Sequence, residues 1–157
     1  MTSLLGVDLG QRRIGLAVGD PGTGVARPLR TITRRDHAGD ISTLGSLVRE
    51  HDIIGLVVGL PLSSDGTEGE QAARTREWAD VVAPALGLPV TWQDERYTSI
   101  SAEARIGGPG RGRAGGPPSN ARLRGWRARV DREAATAILQ AALDTHRRGA
   151  GSGEPVA

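Results

Sequence analysis

The chain of 157 residues contains no cysteine, no lysine and no phenylalanine. Without cysteine there are no disulfides and no thiolate chemistry, and a reducing compartment is permitted. Without phenylalanine, and with only Tyr97, Trp78, Trp92 and Trp126 as aromatics, the core must be packed by Leu, Val, Ile and Ala. No apolar run approaches the roughly 20 residues needed to span a bilayer. Leu4 to Leu9 is interrupted by Gly6 and Asp8, so the N-terminus does not read as a signal peptide. The expectation is a cytoplasmic protein with no membrane association. The length suits one domain, expected over residues 1–148, with a disordered tail over 149–157.

All 20 basic residues counted as Lys or Arg are Arg, and the net charge is only +2. The charge is unevenly distributed. From Arg105 to Arg132 there are eight arginines against one acid, Asp131, a local charge of +7, while the rest of the chain is net acidic. Arg forks match phosphate oxygens, so this asymmetry points to a polyanion partner, although a solvated basic loop would have the same composition.

Short apolar stretches at Leu4–Leu9, Arg13–Gly19 and Val25–Ile32, separated by tight turns, read as an antiparallel meander, with Pro28 placing the third strand at an edge. The period then changes. Ile41, Leu44, Leu47 and Val48 recur at helical spacing behind Asp40 as a cap. Ile53–Val58 reads as a strand buried on both faces. A second helix spans Ala72 to Leu86, bent or frayed at Pro84 and stopped by Gly87, and Pro89–Asp94 forms a fifth strand. A short helix follows over Thr98–Ile106. Residues 107–125 form a flexible Gly/Pro/Arg-rich loop, and a last helix runs from about Val130 to Arg147. The fold class is α/β: a mixed five-stranded sheet, three strands antiparallel and two parallel, with helices on both faces. Ligands of such sheets bind beyond the carboxyl ends of the parallel strands. Asp8, Gly59 and Glu95 fall there.

Asp8 interrupts an apolar strand, where an ionised carboxylate needs a cation or several donors, unless it caps the turn at Gly10. Asp131 shares the spacing of Ala134, Ala135, Ile138, Leu139 and Ala142 and so opens the buried face of the final helix; favourable contact with the dipole of the first turn is the ordinary alternative. Glu95 ends the fifth strand, in competition with Asp94. Three carboxylates from separate elements suit hard cations, Mg²⁺ or Mn²⁺, and phosphodiester hydrolysis. The histidines have no zinc spacing, and Gly22-Thr23-Gly24 is not a phosphate-binding P-loop. Trp78 and Trp92 are expected to pack; Trp126, amid arginines, could stack on a base but more simply packs as well.

Leu5-Gly6-Val7-Asp8-Leu9-Gly10, then Arg13-Ile14-Gly15-Leu16-Ala17-Val18 and Asp20, resembles the opening of the YqgF/RuvX family. Val58-Gly59-Leu60-Pro61, Asp65-Gly66-Thr67-Glu68-Gly69, Asp94-Glu95-Arg96 and Asp131-x-x-Ala134-Ala135 with Ile138-Leu139-Gln140 continue the resemblance in order, over roughly Ser3 to Thr145. It departs from the family at Tyr97-Thr98-Ser99 and in the Gly/Pro/Arg content of 107–125. The resemblance implies an RNase H-like fold with a catalytic and metal-binding triad at Asp8, Glu95 and Asp131. The activity it implies is that of a nuclease processing the 5′ end of precursor 16S rRNA, or of a Holliday junction resolvase. Arg96, Arg111, Arg113, Arg122, Arg124, Arg127 and Arg129 are the candidate nucleic-acid contacts. No residue separates the RNA from the DNA substrate, but resolving a junction would need a symmetric homodimer. Two further classes stay open: an actin-like ATPase, suggested by Gly6-x-Asp8-x-Gly10 but requiring a second domain, and a non-catalytic RNA-binding assembly factor.

Overall fold

The computed structural model describes residues 2–95 and 106–151. Strands β1 (Ser3–Leu9), β2 (Arg13–Asp20) and β3 (Val25–Thr33) form the antiparallel meander. Helix α1 (His37–Glu50), β4 (Ile53–Leu60), α2 (Glu70–Leu86) and β5 (Val90–Asp94) follow. A 3-10 turn at Arg113–Gly115 precedes α3 (Asn120–Gly151). The sheet order is β3-β2-β1-β4-β5, with β4 parallel to both β1 and β5. The mixed five-stranded sheet expected from the sequence is therefore present. Pro28 lies on the edge strand, beside a register shift opposite Leu16 and Ala17.

Strand alternation sorts the side chains into two faces. Leu5, Val7, Leu9, Ile14, Leu16, Val18, Leu56 and Val58 point to α1 and α2, where Leu44, Leu47, Trp78 and Val82 complete the larger core. The other face is nearly bare. Gly6, Gly15, Gly19 and Gly59 occupy it together with Ala17 and Val57. This absence of side chains lets α3 lie close against the sheet. A Cβ on Gly6 would stand 2.8 Å from Leu139 Cβ, and one on Gly19 2.9 Å from Leu143 Cδ1. Gln140 fixes the far side, its Oε1 accepting from Ala26 N at 2.9 Å and its Nε2 donating to Gly24 O at 2.8 Å.

Three expectations are corrected by the helices. Asp40 does not cap α1. Asp36 does, its side chain accepting from Gly39 N at 2.8 Å, while Asp40 is buried one turn further in. There it accepts from Arg35 N at 2.8 Å and from Trp78 Nε1 at 3.1 Å, tying α1 to α2. Second, α3 begins ten residues before Val130. Ser119 caps it, its Oγ accepting from Arg122 N at 3.1 Å, so residues 120–125 are helix and not loop. Third, α3 continues through Gly149 to Gly151, where a tail was expected. Pro84 sits inside α2 and Gly87 ends it with a left-handed φ of 70°. The helix expected over Thr98–Ile106 lies outside the described residues except at Ile106. Among the described residues, no helix is long and apolar enough to cross a membrane.

Candidate active site

The three acids are delivered by three different local constraints. Asp8 is the penultimate residue of β1 and points to the glycine-rich face, in register with Gly15 of β2. Glu95 follows the last residue of β5, its backbone N donating to Leu60 O at 3.2 Å, which fixes it beside β4. Gly59 leaves room for its carboxylate: a Cβ there would lie 2.5 Å from Glu95 Oε2. Asp131 comes down from α3 directly over Gly15, where a Cβ would lie 2.1 Å from the Asp131 carbonyl oxygen.

Asp8 and Glu95 are hydrogen-bonded to each other through their carboxyl groups. Glu95, and not its neighbour Asp94, therefore faces Asp8. Burial raises the Glu95 pKa to about 9, reinforced by the negative charge of Asp8, by the hydrogen bond to it and by Asp94. Burial likewise raises Asp8 to about 6, opposed by the Glu95 hydrogen bond and assisted by the charge of Asp131. Both shifts run upward, so the pair favours holding a proton between its two carboxyls.

Asp131 lies near enough to act on Asp8 electrostatically, but its Oδ2 accepts from Arg13 Nε at 2.6 Å. It stands about three turns into α3, so the dipole of the first turn does not explain it. Arg13 is the residue that sequence reasoning missed. Its signal was available: it opens β2, whose strand alternation places it on the same face as Gly15 and Ala17. Among the described residues, no group of three acids or histidines stands ready around a single cation. The donor set nonetheless suits one. Two carboxyls are in contact, a third is held by a guanidinium, and a divalent cation would replace both the shared proton and Arg13 with hard oxygen coordination.

The basic segment is ordered differently from the expected loop. Thr31 Oγ1 donates to Ala128 O at 2.6 Å, and from about that point towards its N-terminus α3 extends past the sheet edge that carries the acids. Arg122, Arg124, Arg127 and Arg129 are exposed on this overhang, and Arg111 is exposed beneath it, its carbonyl accepting from Arg122 Nη1 at 2.7 Å. Trp126 does not present a free ring. It packs with Val130, Ala134 and Ile106, and its Nε1 donates to Gly107 O at 2.6 Å. Arg96 and the side chain of Arg113 lie outside the described residues.

Comparison with known proteins agrees with this architecture. A family model described as "RuvX: Holliday junction resolvase" matches residues 2–145. A protein of Anaeromyxobacter sp. (strain K) named "Putative pre-16S rRNA nuclease" is 45% identical over 140 residues, covering 89% of this chain and 95% of the relative. A protein of the same name from Synechococcus elongatus (strain ATCC 33912 / PCC 7942 / FACHB-805) is 42% identical over 143 residues, covering 91% and 89%. Among solved structures, Thermus thermophilus RuvC in complex with a Holliday junction substrate superposes with a TM-score of 0.53 at 15% identity, covering 99% of this chain and 100% of that one. The fold is RNase H-like. The chain belongs to the RuvX family of nucleases.

Proposed function

We infer that this protein is a divalent-metal-dependent endonuclease that hydrolyses phosphodiester bonds in structured nucleic acid, and that its substrate is the 5′ end of precursor 16S rRNA. The observation that carries the chemistry is the pair of half-buried, mutually hydrogen-bonded carboxyls of Asp8 and Glu95 at the carboxyl edge of the parallel strands, with Asp131 overhead. Like charges in such a site are costly unless a cation joins them. Asp8, Glu95 and Asp131 would hold Mg²⁺ or Mn²⁺, which when bound supplies an activated water and charge stabilisation at the leaving oxygen.

The chain's own residues have distinct parts. Asp8 is fixed by the sheet ladder and Glu95 by its bond to Leu60 O, so both carboxyls are positioned before substrate arrives. Arg13 holds Asp131 in place, and with a cation held by Asp131 its guanidinium would be free to meet a phosphate oxygen. The exposed arginines of the α3 overhang lie on the same edge and suit the backbone of an irregular RNA. The RNA assignment follows the names of the relatives, and a cytoplasmic protein is the expectation that goes with it. The second reading, cleavage of four-way DNA junctions by a homodimer, is favoured by the description of the family model.

The test is cleavage of labelled precursor rRNA and of junction DNA, side by side, with Mg²⁺ and with Mn²⁺. Site-specific RNA cleavage that Asp8→Asn abolishes is the expected result. Junction cleavage alone, by a dimer, would select the second reading, and binding without cleavage under any metal would leave an RNA-binding assembly factor.

A further inference from the structure

The acids do not account for a second cleft at the same edge. It has a volume of about 270 Å³ and lies on the opposite side of the β1–β2 turn, between that turn and the first turns of α2. Its walls are Gly10, Gln11, Arg34, Gln71, Arg74 and Thr75, none of them acidic. Arg34 is fastened in place twice: its backbone N donates to Arg12 O at 2.9 Å and its Nη1 to Gly10 O at 3.0 Å. Arg74 is exposed and paired at 2.8 Å with Glu70 of its own helix, a solvent-facing pair that a phosphate can replace at little cost. Two guanidinium groups and two carboxamides around a depression of this size present many donors, and the one carboxylate bonded to them, Glu70, stands outside the lining, a combination suited to phosphate oxygens.

The cleft also adjoins the acid site, with which it shares two residues. Gly10 and Gln11 border it on one side and, on the other, a depression of about 200 Å³ lined by Arg12, Arg13 and Asp131. The turn is tight because Gly10 has no side chain: a Cβ there would lie 2.8 Å from Arg13 O, inside the hairpin. Only this turn separates the two depressions, so a strand lying over Asp131 has the second cleft as its neighbour.

We propose that the Arg34–Arg74 cleft binds a backbone phosphodiester of the substrate strand, flanking the one cleaved at Asp8, Glu95 and Asp131. This deepens the nuclease reading and rests on it for the identity of the strand. The cleft and the α3 overhang grip the nucleic acid from opposite faces of the sheet, so the strand is held on both sides of the cut.

The experiment uses the full chain in an Asp8→Asn background with Mg²⁺, binding a fluorescently labelled precursor rRNA fragment. Arg74→Ala and the double variant Arg74→Ala/Gln71→Ala are compared with the parent across a salt series, because neither residue is part of the core. Expected are a loss of affinity of about three- to tenfold at low salt and a salt slope shallower by about 0.7. A neutral methylphosphonate walked along the RNA should weaken the parent at one position flanking the cut, and Arg74→Ala should be indifferent at that position. Unchanged affinity and slope, with no position distinguishing the two proteins, would overturn the proposal. So would adenosine monophosphate binding that depends on Arg74 while RNA affinity does not, because the cleft would then serve a free nucleotide. Cleavage by the Asp8-containing protein is scored separately: a chain that cleaves neither substrate but binds RNA through Arg74 loses the nuclease reading and keeps the cleft.

Discussion

Gly15 and Asp131 are in backbone contact across the sheet–helix interface, so close that a Cβ on Gly15 would lie 2.1 Å from the Asp131 carbonyl oxygen. Asp8 is the register partner of Gly15. The separation of the two acids is therefore set by a missing methyl group. Gly15→Ala must push α3 away from the sheet, because the obstructing atom belongs to the backbone and cannot rotate aside. The expected cost is about 1–3 kcal/mol of stability, together with weaker binding of Mn²⁺, read by thermal melting and by calorimetric titration. A variant with unchanged melting and unchanged Mn²⁺ affinity would show that α3 does not depend on this contact.

The Asp8–Glu95 pair predicts an unusual pH dependence. Both folded pKa values lie above their ordinary ones, about 6 for Asp8 and about 9 for Glu95. The folded state therefore binds more protons than the unfolded chain. The contribution to stability is fully present below the unfolded values, near 4, and is lost as pH rises through 6 and on towards 9. The metal-free protein should melt at a lower temperature at pH 8.5 than at pH 5.5. Asp8→Asn should flatten this dependence and be at least as stable as the parent at pH 8.5. Addition of Mn²⁺ should restore the parent at high pH and do little for the variant. A metal-free protein that gains stability over this range would contradict the shared proton.

Much of this arrangement was legible in the sequence because it follows from period and register. The alternation of β2 and the apolar run of β4 identify a mixed sheet, and a carboxylate inside an apolar strand has few structural excuses. The start of α3 was not legible for the same kind of reason. Between Asn120 and Arg129 the large apolar residues are only Leu123 and Trp126, spaced to join Val130 and Ala134 but set among four arginines and Gly125, so the stripe is thin. The Ser119 cap after Pro117 and Pro118 was a second local sign. Asp40 was misread because a carboxylate near a helix start usually caps. Its actual role depends on Trp78, 38 residues away, which no local pattern reveals.

That long-range bond carries a prediction of its own. Trp78 is fully buried and donates to Asp40 Oδ2 at 3.1 Å. Trp78→Phe removes the donor and leaves a buried carboxylate oxygen unpaired, at a cost of about 1–3 kcal/mol on top of the lost ring volume. Asp40→Asn in the same background should recover part of the loss by removing the charge, and thermal melts of the two variants and the pair would measure the coupling. Additive losses would mean that the bond contributes nothing.

Arg13 holds Asp131 through a single 2.6 Å bond with the guanidinium about one-third exposed, and would compete with a cation held there. Arg13→Gln should therefore raise Mn²⁺ affinity by a few-fold in the absence of nucleic acid, since an exposed pair of this kind is worth little more. The same variant should bind RNA less well in the presence of metal, because the freed guanidinium is then lost to the phosphate. Both changes are read by titration and need no turnover. An Arg13→Gln protein with weaker metal binding would mean that Arg13 orients Asp131 for the metal instead of withholding it.

The α3 overhang supplies the last prediction. Arg122, Arg124, Arg127 and Arg129 are exposed on a helix held rigidly at its far end by Ala135, Leu139 and Leu143 against the sheet. A helix differs from the flexible loop its composition suggested: its backbone is already ordered, so its arginines lose less conformational freedom on binding. Replacing Arg124, Arg127 and Arg129 by Ala leaves the Arg122–Arg111 bond intact and should not lower the melting temperature. Each lost phosphate contact should flatten the slope of log affinity against log salt by roughly 0.7 to 0.9. Affinity should fall while turnover at saturating substrate changes much less, because the proposed role of these side chains is to hold the backbone and not to touch the reacting atoms. Loss of turnover with unchanged affinity would instead place the arginines in the chemistry of the site. Unchanged affinity together with an unchanged slope would show that nucleic acid approaches the acids from another side.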